Sequence, residues 1–227
     1  MPAPPQRRPI RILVTAGPTH EPIDAVRYLA NRSSGRMGCA LAAEAASRGH
    51  STTLLLGPGP LPPPEGTCLQ TERFRTTADL EAALGRLWPD HDVLLMAAAV
   101  ADYRPRHGSS EGKLRRQGET LHLELEPTPD LLAGLAAVTR HDQTLVAFAL
   151  EPADGLVDAA RAKLARKGAA AIVANPLETM DAENVTATLV LAHGTTVEAP
   201  ADLPKAEFAR WLLDWVEGAW GGARDVG

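Results

Sequence analysis

The stretch Ile10-Arg11-Ile12-Leu13-Val14-Thr15-Ala16-Gly17 decides the fold, together with the polar loop and alanine-rich segment that follow it. The apolar residues run side by side without polar alternation, as in a strand covered on both faces. The loop then reads Pro18-Thr19-His20-Glu21-Pro22-Ile23-Asp24, Val26-Arg27-Tyr28 and Asn31-Arg32-Ser33-Ser34-Gly35-Arg36-Met37-Gly38. A helix is expected over 36–49, with Arg36, Glu44 and Arg48 on one face, small residues elsewhere and Gly49 as its stop. Strand, polar loop, helix N-terminus is where an α/β protein holds a phosphate-bearing ligand. Ser33, Ser34, Gly35 and Gly38 stand at that helix start, where backbone N–H groups and the helix dipole favour an anion. The same residues are equally compatible with an ordinary capped helix, since a G-x-x-G pair is a weak signal.

Outward from this unit, strand and helix alternate about five times. Strands are expected over 51–56, 92–100, 121–125, 145–150 and 170–174, and an antiparallel edge over 184–192. Residues 57–66 hold five prolines and form a loop. Thr76 caps a helix whose apolar stripe is Leu80, Leu84, Leu87 and Trp88. Thr128-Pro129-Asp130 starts another, lined by Leu131, Leu135 and Val138. A helix over 155–167 puts Ala159, Lys163 and Lys167 on one row. Phe208, Trp211, Leu212 and Trp215 mark an amphipathic C-terminal helix. The expected fold class is α/β: a three-layer, Rossmann-like, doubly wound and mostly parallel sheet with an antiparallel edge and a basic flap. A disordered lead-in (1–9), one domain (10–220, flap about 102–118) and a disordered tail (221–227) complete the plan.

The net charge of −5 gives no basic balance for nucleic acid. Cys39 and Cys68 form no metal or redox spacing, and the seven histidines are scattered, so a histidine metal site is not expected. No apolar run approaches the roughly 18 residues of a membrane span, and the expectation is a cytoplasmic chain that binds neither membrane nor nucleic acid.

Three further groups carry chemistry. Ala97-Ala98-Ala99-Val100-Ala101-Asp102-Tyr103 puts small residues at a strand end, where a flat ligand can approach the backbone; Asp102 there suits a ribose hydroxyl, a base edge or Mg²⁺, or simply a turn. Lys113-Leu114-Arg115-Arg116 lies on a polar loop and suits closure over a polyphosphate or a solvated basic loop. Lys163 and Lys167, four apart, can reach phosphate oxygens but are also ordinary surface lysines. The dinucleotide pattern G-x-G-x-x-G is absent, and Leu56-Gly57 stands where an NAD-binding acid belongs. That weighs against an NAD(P) oxidoreductase, the rival of a different class; a non-catalytic nucleotide-binding protein is the other.

Taken in order, Thr15–Asp24, Val26–Tyr28, Asn31–Gly38, Ala98–Tyr103, Lys113–Arg116, Thr128–Leu132 and Ile172–Asn175 resemble the phosphopantothenate–cysteine ligase family over about residues 10–217. The chain begins directly at the first strand of such a ligase, which implies a stand-alone or excised ligase domain without the flavin-dependent decarboxylase. The resemblance implies coupling of 4′-phosphopantothenate to L-cysteine through an acyl-cytidylate, with CTP as substrate and Mg²⁺ as cofactor; ATP is the alternative nucleotide. It implies Asn31 and Lys113 as catalytic residues. It places Gly17, Ser33, Ser34, Gly35, Ala97, Ala98, Asp102, Lys113, Phe148, Lys163 and Lys167 at the nucleotide, and Asn31, Arg36 and Met37 at the substrate, and it assigns no metal ligands. It also implies a homodimer, and a separate decarboxylase acting next. This chain departs from the family pattern in the K-L-R-R flap, in Leu150 and Pro152 after Phe148, and in His20.

Overall fold

The computed structural model describes residues 8–106, 112–115, 118, 120–180 and 182–222. Most of the expected lead-in, much of the expected flap and residues 223–227 of the expected tail lie outside the described residues.

Eight strands make the central sheet: β1 (Arg11–Ala16), β2 (Ser51–Leu56), β3 (Leu69–Arg73), β4 (Val93–Met96), β5 (Thr144–Glu151), β6 (Ala171–Pro176), β7 (Thr188–Leu191) and β8 (Thr196–Glu198). Their spatial order is β8-β7-β6-β5-β4-β1-β2-β3. The first six are mutually parallel, while β7 and β8 add antiparallel. The order 3-2-1-4-5-6 is that of a doubly wound dinucleotide fold, whose crevice opens between the carboxyl ends of β1 and β4.

The helices are α1 (Arg36–Ser47), α2 (Thr77–Leu87), α3 (Leu131–Val138), α4 (Leu156–Lys167) and α5 (Lys205–Gly222). Side chains alternate across each strand. Ile12, Val14, Leu54, Leu95 and Val173 pack under α1 and α5. Leu13, Leu55, Leu94, Leu145 and Ile172 pack under α2, α3 and α4. Both faces are covered, which is why the central strands read as unbroken apolar runs.

Local chemistry sets the helix ends. Thr76 caps α2 in a reciprocal box: its hydroxyl accepts from the Asp79 N–H, and the Asp79 carboxylate accepts from the Thr76 N–H. Such a cap contributes about 1 kcal/mol. The hydrogen bond from the Thr76 amide outweighs burial and holds the Asp79 carboxyl below its ordinary range. At α1 the N-cap is Gly35, left-handed with φ of 75°, and no side chain caps the helix. Gly38, one turn on, lies directly on β1. A Cβ there would stand 2.4 Å from the Ala16 Cβ and 2.7 Å from the Thr15 carbonyl oxygen.

Several expectations are corrected. The apolar run 92–100 stays in the sheet only through Met96, because the Ala98 N–H turns to the Thr15 hydroxyl and the Ala99 N–H to the Gly17 carbonyl. In 121–125, Leu121 and Leu123 are exposed; only Leu125–Pro127 is extended, paired antiparallel with Tyr103–Pro105. Asp130 rather than Thr128 caps α3, and Leu132 rather than Val138 is buried on it. The edge expected over 184–192 divides: Asn184–Val185 pairs with Leu203–Pro204, and β7 lies inside β8. β3 (L-Q-T-E-R) gave no apolar signal, since an edge strand facing water does not need one. α5 runs through Gly222, two residues past the expected boundary.

Gly38→Ala should destabilise the protein by about 1–3 kcal/mol, because the added methyl group meets backbone rather than a movable side chain. Gly85→Ala, on the exposed face of α2 with nothing within 4 Å, should stabilise it by about 0.5–1 kcal/mol. Thermal unfolding of the two variants beside the parent checks both signs.

Candidate active site

A cleft of about 1020 Å³ opens at the carboxyl ends of β1, β4, β5 and β6. Its floor is a seam between the two chain segments that leave β1 and β4. Thr15 Oγ1 accepts from the Ala98 N–H at 3.0 Å. The Gly17 carbonyl accepts from the Ala99 N–H at 3.0 Å, and the Ala99 carbonyl accepts from the Thr19 N–H at 3.2 Å. Thr19 Oγ1 accepts from the Ala101 N–H at 2.9 Å. Thr15 and Thr19 are fully buried. With the Ala98 and Ala99 N–H groups so engaged, Ala97 and Ala98 are held as a half-buried stretch of small residues lining the cleft. Their small side chains let a ligand approach the backbone there.

The N-terminus of α1 forms one wall. The N–H groups of its first turn have no intrahelical acceptor, and Gly35 supplies no capping side chain. They stand beside Ser33, Ser34, Arg36 and Met37 on the cleft surface. Asn31 is on the same rim. Its side-chain amide donates to the Val100 carbonyl at 2.9 Å. That bond orients the amide and leaves its second N–H and its oxygen available.

Charge is concentrated here. Arg32, Arg36, Lys163, Arg166, Lys167 and Lys205 line the cleft against two acids, Asp102 and Asp130, although the chain carries −5. Such a surface attracts anions. Lys163 and Lys167 project into it from the last turns of α4, as the spacing of four requires. Lys167 is ion-paired with Asp130, whose other oxygen accepts from the Ala133 N–H at 3.1 Å. Burial pushes the Asp130 carboxyl up, but Lys167, Ala133 and the nearby Arg166 outweigh it and leave it lowered. Asp102 lines the cleft with an exposed carboxylate that makes no hydrogen bond to the described residues. Among the described residues no group of three or more histidine, cysteine, aspartate or glutamate side chains could hold a metal ion unaided.

Of the residues singled out from sequence, Asn31, Ser33, Ser34, Gly35, Arg36, Met37, Ala97, Ala98, Asp102, Phe148, Lys163 and Lys167 all line this one cleft. Gly17 does not; it lies beneath Gly35, whose Cβ would stand 3.3 Å from the Gly17 Cα. Lys113 does not line it either and sits exposed on the segment over Asp24. Leu150 is on the cleft wall opposite Asn175 in the β5–β6 register. The sequence reading missed Asn175, 7% exposed at the carboxyl end of β6. A lone amide closing an apolar parallel strand was the available signal. It also missed Arg32, Arg166 and Lys205. Lys205 had no local signal, because only the packing of α5 brings it here.

A family model described as the DNA/pantothenate metabolism flavoprotein C-terminal domain matches residues 8–219, and the chain belongs to that family. It is similar to the coenzyme A biosynthesis bifunctional protein CoaBC of Vibrio cholerae serotype O1, with 40% identity over 166 residues, 73% of this chain and 41% of that protein. It is also similar to a protein of an unknown prokaryotic organism named cysteine/cysteine sulfinic acid decarboxylase, with 40% identity over 168 residues, 74% of this chain and 46% of that one. The chain thus spans under half the length of these relatives. Among solved structures it resembles the crystal structure of the C-terminal domain of CoaBC, with a TM-score of 0.78 and 34% identity, covering 94% of this chain and 96% of that one. The family and the Rossmann-like α/β fold expected from the motifs are both borne out.

Thr15→Val keeps the shape of the side chain and removes the acceptor of the half-buried Ala98 N–H. It should cost about 0.5–1.5 kcal/mol, the net contribution of one hydrogen bond at a site water can reach. Urea unfolding of the variant and the parent gives the difference.

Proposed function

We propose that this chain is a phosphopantothenate–cysteine ligase of coenzyme A biosynthesis, using CTP. The observation that carries the proposal is the meeting, in one basic cleft, of the open N-terminus of α1, the oriented Asn31 amide and the small-residue backbone at Ala97–Ala98. Family membership and the coenzyme A role printed for the Vibrio relative support it.

The chemistry follows from the groups present. A carboxylate is a poor electrophile and must first be joined to a nucleotide. A phosphopantothenate carboxylate oxygen attacks the α-phosphorus of CTP, the bond to the bridging oxygen breaks, and pyrophosphate leaves. The first-turn N–H groups of α1 and the Lys163 ammonium hold phosphate oxygens in place. The second N–H of Asn31 donates to the reacting carboxylate without adding charge that would quench its nucleophilicity. The Ala97 and Ala98 carbonyls accept from the exocyclic amine of the base, and Phe148 offers it an apolar surface. The cysteine amine then attacks the acyl carbon, the mixed-anhydride bond breaks, and CMP departs. Lys113 is assigned by its motif to the phosphate charge that develops in these steps.

Mg²⁺ accompanying the nucleotide would neutralise phosphate charge. It commonly takes one or two protein carboxylates with phosphate oxygens, and Asp102 fits that need. An NAD(P) oxidoreductase fits less well: β2 ends at Leu56-Gly57, and a Cβ on Gly57 would stand 2.3 Å from the Pro18 carbonyl oxygen. A homodimer belongs to the proposal and is supported by the exposed Val26, Tyr28 and Tyr103 on the hairpins beside the cleft. A separate phosphopantothenoylcysteine decarboxylase would use the product. No helix among the described residues is long and apolar enough to cross a membrane, and a cytoplasmic location is proposed with the rest.

Pyrophosphate release measured with CTP and ATP in parallel tests the reading. Release from CTP should require phosphopantothenate but not cysteine. A chain that releases none from either nucleotide is not this ligase. Asn31→Asp should lower turnover on the order of 10²–10³-fold, as for other preorganised donors, with little change in the unfolding temperature.

A further inference from the structure

The hairpin between β1 and α1 does more than deliver Asn31. Its short strands, Glu21–Pro22 and Tyr28–Leu29, pair antiparallel, and His20 stacks on Tyr28 with ring centroids 3.7 Å apart. Its base is fixed to the body of the protein. Glu21, 3% exposed, accepts from the Thr77 N–H at 2.8 Å and the Thr77 hydroxyl at 2.7 Å, at the N-terminus of α2. Its tip is built around Asp24, 2% exposed.

Asp24 Oδ1 accepts from the N–H groups of Val26 at 2.8 Å and Arg27 at 2.7 Å. Its Oδ2 accepts from the Arg27 guanidinium and, ninety residues away in sequence, from the Leu114 N–H at 3.0 Å. Arg27 Nη2 donates in turn to the Leu114 carbonyl at 2.9 Å, and the Ala25 N–H donates to the Gly112 carbonyl at 3.1 Å. Lys113 is the residue between these anchors. Both peptides that flank it are tied to the Asp24 turn, and its own side chain is left exposed. Local turn formation needs only the Val26 and Arg27 bonds. The bonds to residues 112 and 114 add nothing to the hairpin itself; their effect is on where Lys113 stands.

We propose that Asp24 is a positioning residue for Lys113, so that one hairpin, fixed through Glu21 to α2, sets both Asn31 and Lys113. The proposal rests on the reading of Lys113 as a participant in the ligase reaction. A polar, glycine-containing segment without a core of its own pays conformational entropy to hold one arrangement, and the buried carboxylate with its arginine offsets that cost. The arginine bond, the largest influence, and the backbone N–H bonds hold the Asp24 carboxyl well below the ordinary carboxylate range, so the anchor keeps its charge throughout the working pH range.

The test is a double-mutant cycle with Asp24→Asn and Lys113→Gln, read by CTP-dependent ligation, together with trypsin cleavage after Lys113. Asp24→Asn should lower kcat on the order of 10- to 100-fold, the cost of a misplaced group, with KM for CTP within about twofold. In the Lys113→Gln background it should lower the rate no further, since both changes act through one element. Cleavage of the Lys113–Leu114 bond should quicken. Additive losses, or an Asp24→Asn enzyme of full rate, overturn the proposal. If Asp24→Asn does not fold, Leu114→Pro deletes one donor and leaves the Asp24–Arg27 pair intact; loss of kcat and faster cleavage after Arg115 support the proposal, and no change overturns it. If Lys113→Gln alone leaves ligation intact, it is the role of Lys113 that fails; faster cleavage in Asp24→Asn then upholds the anchoring and unchanged cleavage overturns it.

Discussion

Everything at the cleft depends on how β1 and β4 part. The two strands are neighbours in the sheet, with Thr15 opposite Met96. Beyond that pair the chains leave in different directions, one toward α1 and the other toward the flap. Backbone groups exposed by such a parting must find other partners or cost free energy. The fold meets this with hydroxyls: Thr15 and Thr19 accept the Ala98 and Ala101 N–H groups, and Pro18 and Ala99 keep one isolated bridge. The result is a floor whose Ala98, Ala99 and Ala101 N–H groups are all satisfied by the segment after β1. Gly38 belongs to the same arrangement, since only a residue without a Cβ lets the first turn of α1 lie on Ala16 and bring its N–H groups to the floor.

The second organising influence is charge. Six basic side chains around one cleft repel one another, and a chain of negative net charge must hold them there by structure. Asp130 does part of this by pairing with Lys167 while capping α3, so one carboxylate serves a helix end and a cation together. Elsewhere the ion pairs are structural. Arg11 and Asp92 join β1 and β4 at the end of the sheet away from the cleft, with contacts of 3.1 and 2.7 Å. Arg48 ties α1 to α5; burial lowers its pKa, but hydrogen bonds to Glu44, Glu217 and Asp214 raise it further still. Asp92 is buried and Arg48 mostly so, so these pairs are shielded from solvent screening and hold β1 against β4 and α1 against α5.

Much of this was legible before any coordinates. β1, β2, β5, β6 and all five helices follow from apolar runs, helical spacing and cap residues. The cleft residues expected at strand ends and at the start of α1 come together because parallel α/β folds gather those ends on one side. The misreadings share a cause. Leu121, Leu123 and Val138 are apolar but exposed, and β3 is a strand without an apolar signal. Composition reports what a side chain prefers, and an edge or hairpin leaves it in water when the neighbouring backbone has prior claims.

The sequence by itself determined the alternation of elements, the family and the kinds of group that line the cleft, because periodicity, caps and motifs are local properties carried by neighbouring residues. Only the tertiary structure decided that Ala97 leaves the sheet, that Asn31 is held by Val100, that Lys167 is engaged by Asp130, and that Lys113 stands on the Asp24 turn outside the cleft. Each of these joins residues 37 to 90 positions apart. Such pairings follow from which strands become neighbours and which buried donors are left to satisfy, and no local pattern encodes that.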